Sequence, residues 1–135
     1  MRTLVAAIVV VFSLVTLRCP PAATAADCVE GITLSPTAAG KEVAASGRAL
    51  VRSNGGSARQ TFTVHVGLAV PDGTSLFVFA NGEPVGTMTV GPGIATLDVS
   101  DADGERLPPG VDPVCSIGPV WVTDTSGTAL LTGSF

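Results

Sequence analysis

The chain is short of the residue types from which active sites and nucleic-acid interfaces are built. It contains one histidine, no tyrosine and one tryptophan, and aromatic residues make up 4% of it. A nucleophilic triad needs a base beside its serine or cysteine, and His65 lies on the predicted solvent-facing side of a strand. A zinc site needs three or four nitrogen or sulfur ligands, and pairing of Cys28 with Cys115 leaves His65 alone. We therefore expect that the protein is not an enzyme and has no bound cofactor. Ca²⁺ is the one ion that the sequence leaves open.

Basic residues are also few. The chain has seven lysines and arginines against eleven aspartates and glutamates. Arg2 and Arg18 fall in the leader described next, so the rest of the chain has five basic residues and a net charge near −6. Nucleic-acid binding requires a basic stripe with aromatic side chains between the charges. Nucleic acid is therefore not the expected partner, which leaves an unidentified protein or an extracellular polymer.

Residues 1–25 have the pattern of a secretory signal peptide. A positively charged start is followed by an apolar run over residues 4–17 and by an Ala-x-Ala site at residues 23–25. A membrane-spanning helix needs about 20 apolar residues, and Arg18 and the following prolines end this run sooner. We expect cleavage after Ala25, a single all-β domain over residues 26–135, a secreted or periplasmic location and no stable membrane insertion. Acylation of Cys19 is an open alternative.

Two cysteines follow the leader, and two can close one bridge in an oxidising compartment. Pairing of Cys28 with Cys115 would close a long loop, for which the chain-entropy model gives about 4 to 5 kcal/mol of stabilisation. Two buried free thiols are the alternative. We expect the disulfide.

After residue 26 no window has helical periodicity, and turn-forming residues separate short β-rich runs at fairly regular intervals. Alternation along residues 60–66 places Phe62, Val64 and Val66 on one face. Seven or eight strands fit the chain, which predicts an all-β fold, either an immunoglobulin-like antiparallel sandwich or a small barrel. The predicted strands cover residues 29–34, 47–52, 60–66, 75–80, 83–90, 94–99, 114–123 (114–117 and 120–123, interrupted by a bulge or bend at Gly118-Pro119) and 128–135, with loops at residues 35–40 and 100–112.

The clearest structural signal is SLFVFANGEPVGTMTV, residues 75–90. Asn81 and Gly82 tolerate the positive φ angles of a type I′ turn, so the segment is predicted to be a two-residue hairpin. Its first strand is apolar on both faces and belongs inside a sheet, while Pro84 marks the returning strand as an edge. The apolar residues of the first strand either pack in the core or form a self-association face; the residues of that face are Leu76, Val78 and Ala80.

Three segments carry a resemblance: TFTVHVGL, SLFVFANGEPVGT and LPPGVDPVCSIGPVWVTDTSGTALLTGSF. Together they look like small secreted bacterial all-β domains of uncharacterised function, across roughly residues 47–135. The shared positions are glycines and apolar residues, which are structural. The resemblance implies secretion and an all-β fold, and no catalytic or binding residue comes with it.

An acidic loop is the first candidate for a site. Ca²⁺ is bound by six to eight hard oxygen ligands, which carboxylates and loop carbonyls supply. A solvated loop whose charges favour solubility is the alternative reading. The calcium hypothesis uses Asp98, Asp101, Asp103, Glu105 and Asp112.

A basic group is the second candidate. Arg48, Arg52 and Arg59 fall on one predicted hairpin, where they either grip an anionic polymer or pair with nearby acids. The sequence as a whole predicts a secreted, non-enzymatic β-domain that acts as a binding or structural module. A calcium-stabilised adhesion-type module that uses the acidic loop is the alternative.

Overall fold

Alternation of apolar and polar residues produces eight antiparallel strands. The structure is a computed structural model that describes residues 27–54 and 59–135. The predicted signal peptide and most of the connection between the predicted strands at residues 47–52 and 60–66 therefore lie outside the described residues. The strands are β1 (Cys28–Pro36), β2 (Ser46–Asn54), β3 (Arg59–Gly67), β4 (Ser75–Ala80), β5 (Glu83–Thr89), β6 (Ile94–Ser100), β7 (Pro119–Thr123) and β8 (Ala129–Ser134).

All eight strands belong to one sheet in the order β5-β4-β7-β8-β1-β2-β3-β6. The sheet curls until its two edge strands, β5 and β6, lie side by side without hydrogen bonding to each other. A Cβ atom added to Gly86 in β5 would lie 2.9 Å from Leu97 Cδ1 in β6, so side chains meet across this seam. The fold is therefore a nearly closed barrel, which confirms the all-β class in its barrel form.

The barrel interior is filled from alternate positions of the strands. In β3, Phe62, Val64 and Val66 point inward and are at most 2% exposed, as the alternation predicted. β2 pairs with β3 along its whole length as the predicted hairpin. The inward side chains of all the strands form one hydrophobic core.

The hairpin at residues 75–90 is confirmed. Asn81 and Gly82 have φ angles of 52° and 81°, as a type I′ turn requires, and β5 is an edge strand that contains Pro84. β4 lies between β5 and β7. The interface hypothesis for its apolar residues is wrong for this chain, because their side chains point into the barrel and are each 0% exposed: Leu76, Val78 and Ala80.

Residues 101–118, called the plug segment from here on, cross one end of the barrel between β6 and β7. The prediction of a surface loop over residues 100–112 is corrected, because Leu107 and Val111 are buried in the core. The strand predicted at residues 114–117 is also wrong: Val114–Ser116 is a 3₁₀ helix, with Val114 buried. Proline and glycine break the strand here, and burial of single apolar side chains holds it in place.

Three contacts fix the plug segment to the strands. The predicted disulfide between Cys28 and Cys115 is confirmed, with 5.9 Å between the Cα atoms. Gln60 in β3 binds both ends of the segment: its backbone N–H and side-chain amide donate to the Asp101 carboxylate at 2.6 and 3.3 Å, and its side-chain oxygen accepts from the Val114 N–H at 3.0 Å. The Asn81 side chain provides the third contact, through hydrogen bonds to the backbone of Gly110, Ser116 and Gly118.

The prediction of a loop at residues 35–40 is also wrong, because these residues form the end of a strand and the start of a short helix. β1 continues to Pro36, and a single turn of helix, α1 (Ala38–Glu42), follows. Thr37 caps it by accepting the Gly40 N–H, which is the ordinary role of threonine at this position. No helix in the described ranges is long and apolar enough to cross a membrane.

Candidate functional site

The predicted calcium ligands are not brought together. Asp98 accepts a 2.8 Å hydrogen bond from Thr63 on the outside of the sheet, and Asp101 is engaged by Gln60. Glu105 and Asp112 are exposed on the plug segment, and Asp103 lies there in a 3₁₀ turn. Within residues 27–54 and 59–135 no group of three or more His, Cys, Asp or Glu residues is placed to hold a metal ion. The calcium hypothesis gains no support from this arrangement.

A group of outward-facing aromatic residues is the first surface that stands out. Phe77 and Phe79 alternate in β4 with fully buried residues, and Trp121 alternates in β7 with Val120 and Val122. All three are half-buried and lie on the outside of the barrel, so we call them the aromatic face. Five aromatic residues follow residue 25, and three of them lie here rather than in the core.

Strand register brings two of these rings into contact. Phe79 and Trp121 are direct cross-strand partners, and their ring centroids are 6.3 Å apart with 19° between the ring planes. Near-parallel rings at this separation are offset, which leaves part of each ring uncovered by the other. Such a pair contributes about 0.5–1.5 kcal/mol beyond the apolar area that it buries.

The strands around the aromatic face are almost uncharged. β5, β4, β7 and β8 are consecutive in the sheet, and their one ionisable residue is Glu83 at the start of β5. The neighbours of the aromatic rings are hydroxyl side chains: Thr87 pairs with Phe77, and Thr132 pairs with Trp121. The aromatic face is therefore an apolar patch bordered by neutral hydrogen-bonding groups.

The other half of the barrel carries the charges. Arg48 and Arg52 lie on outward positions of β2, and Arg59 begins the neighbouring β3. Cross-strand pairing places Arg48 between Thr33 of β1 and His65 of β3. The prediction that the three arginines share one hairpin is correct, and we call their surface, with His65, the arginine face.

Outward glycines make this surface uneven. Gly31 in β1 and Gly67 in β3 lie on either side of the row that contains Arg48 and His65. The Leu50 side chain covers Gly31, where an added Cβ would lie 2.7 Å from Leu50 Cδ2, whereas Gly67 borders a groove. The result is an open groove of about 500 Å³ lined by Arg48, His65 and Ile94, adjoining one of about 270 Å³ that shares Arg48. A third recess of about 370 Å³ is lined by Arg52, Arg59 and two polar residues.

His65 is exposed, as predicted, and one of its ring nitrogens lies 3.3 Å from the Thr96 hydroxyl. In the described part of the chain no carboxylate pairs with this ring. The side chain contributes a polar wall to the groove of about 500 Å³.

The aromatic face was missed at the level of sequence, although its signal was present. Residues 76–80 are apolar on both faces, but Phe77 and Phe79 alternate with smaller aliphatic residues, and Trp121 alternates with two valines. The sequence does not indicate that β4 pairs with β7. The two strands are separated by 38 residues and are neighbours only in the folded sheet. The convergence of the aromatic rings follows from that pairing.

Comparison with protein-family models, with curated proteins and with solved structures finds no match to this chain. The class that the fold defines is an all-β, eight-stranded, nearly closed barrel with one disulfide. The resemblance to small secreted bacterial domains stays a prediction.

Proposed function

We propose that this protein is a secreted, non-enzymatic binding module and that its aromatic face binds an uncharged extracellular polysaccharide. One observation carries the proposal: three of the five aromatic residues after the leader lie outside the core, on an outward sheet surface with neutral surroundings. Burial of aromatic side chains favours folding, so aromatic residues left at the surface of a small domain are typical of a binding surface.

The chemistry of the surroundings favours a neutral sugar polymer. The C–H groups of a pyranose ring carry partial positive charge and contact the negative face of an aromatic ring. The Thr87 and Thr132 hydroxyls next to the rings both donate and accept, as sugar hydroxyls require. A charged partner would bring its charge against four strands that hold a single ionisable side chain. An uncharged polymer loses no ion hydration on this face.

Secretion and the absence of an enzymatic role have their own support. The leader has the order of a signal peptide, and a disulfide is the bond expected of an oxidising compartment. Both cysteines after the leader are used in that bond, and the histidine is an exposed strand residue.

The test compares two double variants on insoluble neutral polysaccharides, namely cellulose, chitin and β-1,3-glucan. Phe79→Ala with Trp121→Ala removes the aromatic pair. Val29→Ala with Ile94→Ala is the matched control, because these residues are 79% and 61% exposed elsewhere on the barrel. We expect wild type and control to be retained on at least one polymer and the aromatic variant to lose at least about tenfold in affinity, or about 1.4 kcal/mol.

Three results contradict the proposal. The first is an equal loss of binding in both variants. The second is no retention of wild type on any of the three polymers. The third is a concentration-dependent dimer, seen by sedimentation, that the aromatic substitutions dissociate, because the face would then be covered by a second copy of the chain. Melting curves of both variants check that each is folded.

A further inference from the structure

The arginine face is a second candidate binding surface, on the half of the barrel away from the aromatic residues. Within the described residues no ion pair or hydrogen bond engages the guanidinium groups of Arg48, Arg52 or Arg59. The chain after the leader has more than twice as many acidic as basic residues. Three of its five basic side chains nevertheless share one outward surface, where no described residue pairs with them.

Two acids, one in the neighbouring strand β6 and one in the plug segment, have other hydrogen-bond partners. Asp98 lies on the same side of the sheet in β6 and accepts the Thr63 hydroxyl at 2.8 Å, while Asp101 is held by Gln60. Paired surface charges contribute little to stability, and unpaired arginines contribute none through ion pairing. The grouping of the arginines is therefore not accounted for by the stability of the fold.

The spacing of the three arginines fits an extended ligand. Arg48 and Arg52 are four residues apart in one strand, which is about 13 Å at the rise of a β-strand. Arg59 lies diagonally across from Arg52 on the neighbouring strand, where such positions are about 7–8 Å apart. Each of the three grooves is lined by at least one of these arginines. A single small anion would contact one end of this track, whereas a polymer with repeated negative charge contacts all of it.

We propose that the arginine face binds an acidic polysaccharide, through carboxylate or sulfate groups carried along the sugar chain. Arginine presents a planar fork of donors that matches both groups. The Thr33 and Thr61 hydroxyls next to the arginines are placed for sugar hydroxyls. Single-stranded nucleic acid is disfavoured because its bases stack on aromatic side chains, and the half-buried rings of the aromatic face lie on the other half of the barrel.

The experiment measures binding of the full oxidised protein to three soluble probes at low salt: dextran sulfate, polygalacturonate and a single-stranded DNA oligonucleotide, with uncharged dextran as the baseline. Arg48→Gln with Arg52→Gln removes two charges from the face. Lys41→Gln with Arg106→Gln is the matched control, because it removes the two exposed basic residues that lie elsewhere. Both variants change the net charge equally.

We expect dextran sulfate or polygalacturonate to bind wild type and the control within twofold of each other. The Arg48/Arg52 variant should bind at least tenfold more weakly, and its affinity should depend less steeply on salt. Preference for one polyanion identifies the anionic group as sulfate or carboxylate.

The proposal is overturned if both variants weaken binding equally, since the effect would then be net charge alone. It is also overturned if neither polyanion binds, or if the DNA binds more tightly than both. The aromatic variant Phe79→Ala/Trp121→Ala should bind these probes as wild type does, so failure here is distinguishable from failure of the neutral-polysaccharide proposal.

Discussion

At the scale of single residues, Asn81 has two roles, of which the sequence revealed one. Its tolerance of positive φ predicted the turn, and the observed φ is 52°. Its side chain also donates to the Gly110 and Ser116 carbonyls at 3.2 and 3.4 Å and accepts the Gly118 N–H at 2.9 Å. The second role depends on residues about 30 to 40 positions away that topology brings close, which a local turn rule does not contain.

The two roles are separable by substitution. Asn81→Gly keeps the left-handed conformation and loses the hydrogen bonds, so we expect a decrease of about 1–2 kcal/mol in the free energy of unfolding. Asn81→Ala loses both, and should cost about 1–2 kcal/mol more because alanine resists this conformation. Chemical denaturation measures the difference. Equal stability of Asn81→Gly and wild type would show that the side-chain contacts are not stabilising.

Asp124 organises the turn between β7 and β8. Its Oδ1 accepts hydrogen bonds from the Ser126 hydroxyl at 2.6 Å, the Ser126 N–H at 2.9 Å and the Thr128 N–H at 3.0 Å. These bonds, the Ser126 hydroxyl first, hold the pKa of Asp124 below its ordinary value. Because the pKa is lower in the folded state, the contribution to stability is present above the unfolded-state pKa and disappears as the pH falls through the folded-state pKa.

Replacement of the hydroxyl tests this cause. In Ser126→Ala we expect the pKa of Asp124 to rise toward its ordinary value while the backbone bonds keep part of the shift. The measurement is an NMR titration of the Asp124 carboxyl carbon in both proteins. Superimposable titration curves would mean that the Ser126 hydroxyl is not the main cause.

At the scale of elements, strands were predictable and the plug segment was not. Regular alternation, as in Phe62, Val64 and Val66, is visible over a few residues and fixes which face is buried. Leu107 and Val111 are buried although they stand among charged residues, prolines and glycines with no period. Their burial follows from the open barrel end that they cover, and that end exists only after the sheet has curled.

Gln60 is the residue on which the position of the plug segment depends most directly. Gln60→Ala removes the acceptor of the buried Val114 N–H, so we expect a loss of about 1–3 kcal/mol of stability and faster hydrogen exchange at Val114. Thr63→Ala, which breaks a hydrogen bond on the exposed face of the same strand, is the control and should change stability by less than about 0.5 kcal/mol. Unchanged exchange at Val114 in Gln60→Ala would argue against this role.

At the scale of the whole molecule, closure of the barrel depends on packing across the seam between β5 and β6. Gly86 leaves room for Leu97, whose side chain a Cβ atom at residue 86 would approach to 2.9 Å. Sequence reasoning placed β5 at an edge through Pro84 but left sandwich and barrel both open, because nothing local indicates that the two edges meet.

A double-mutant cycle across the seam measures that packing. Gly86→Val should destabilise by about 1–3 kcal/mol through overpacking, and Leu97→Ala in the same chain should recover part of the loss. Ile94→Ala lies at the far end of β6 and should give additive effects with Gly86→Val. Additivity in both pairs would show that the edges do not contact each other.

The strand order has one more consequence. The strand order in the sheet is β5-β4-β7-β8-β1-β2-β3-β6. The strands that hold the aromatic rings are second and third in this order, and the strands that hold the arginines are sixth and seventh. Four positions out of eight is half the circumference, so the two surfaces point in opposite directions. A molecule bound through one of these surfaces leaves the other accessible, so the two proposed binding sites do not compete for space.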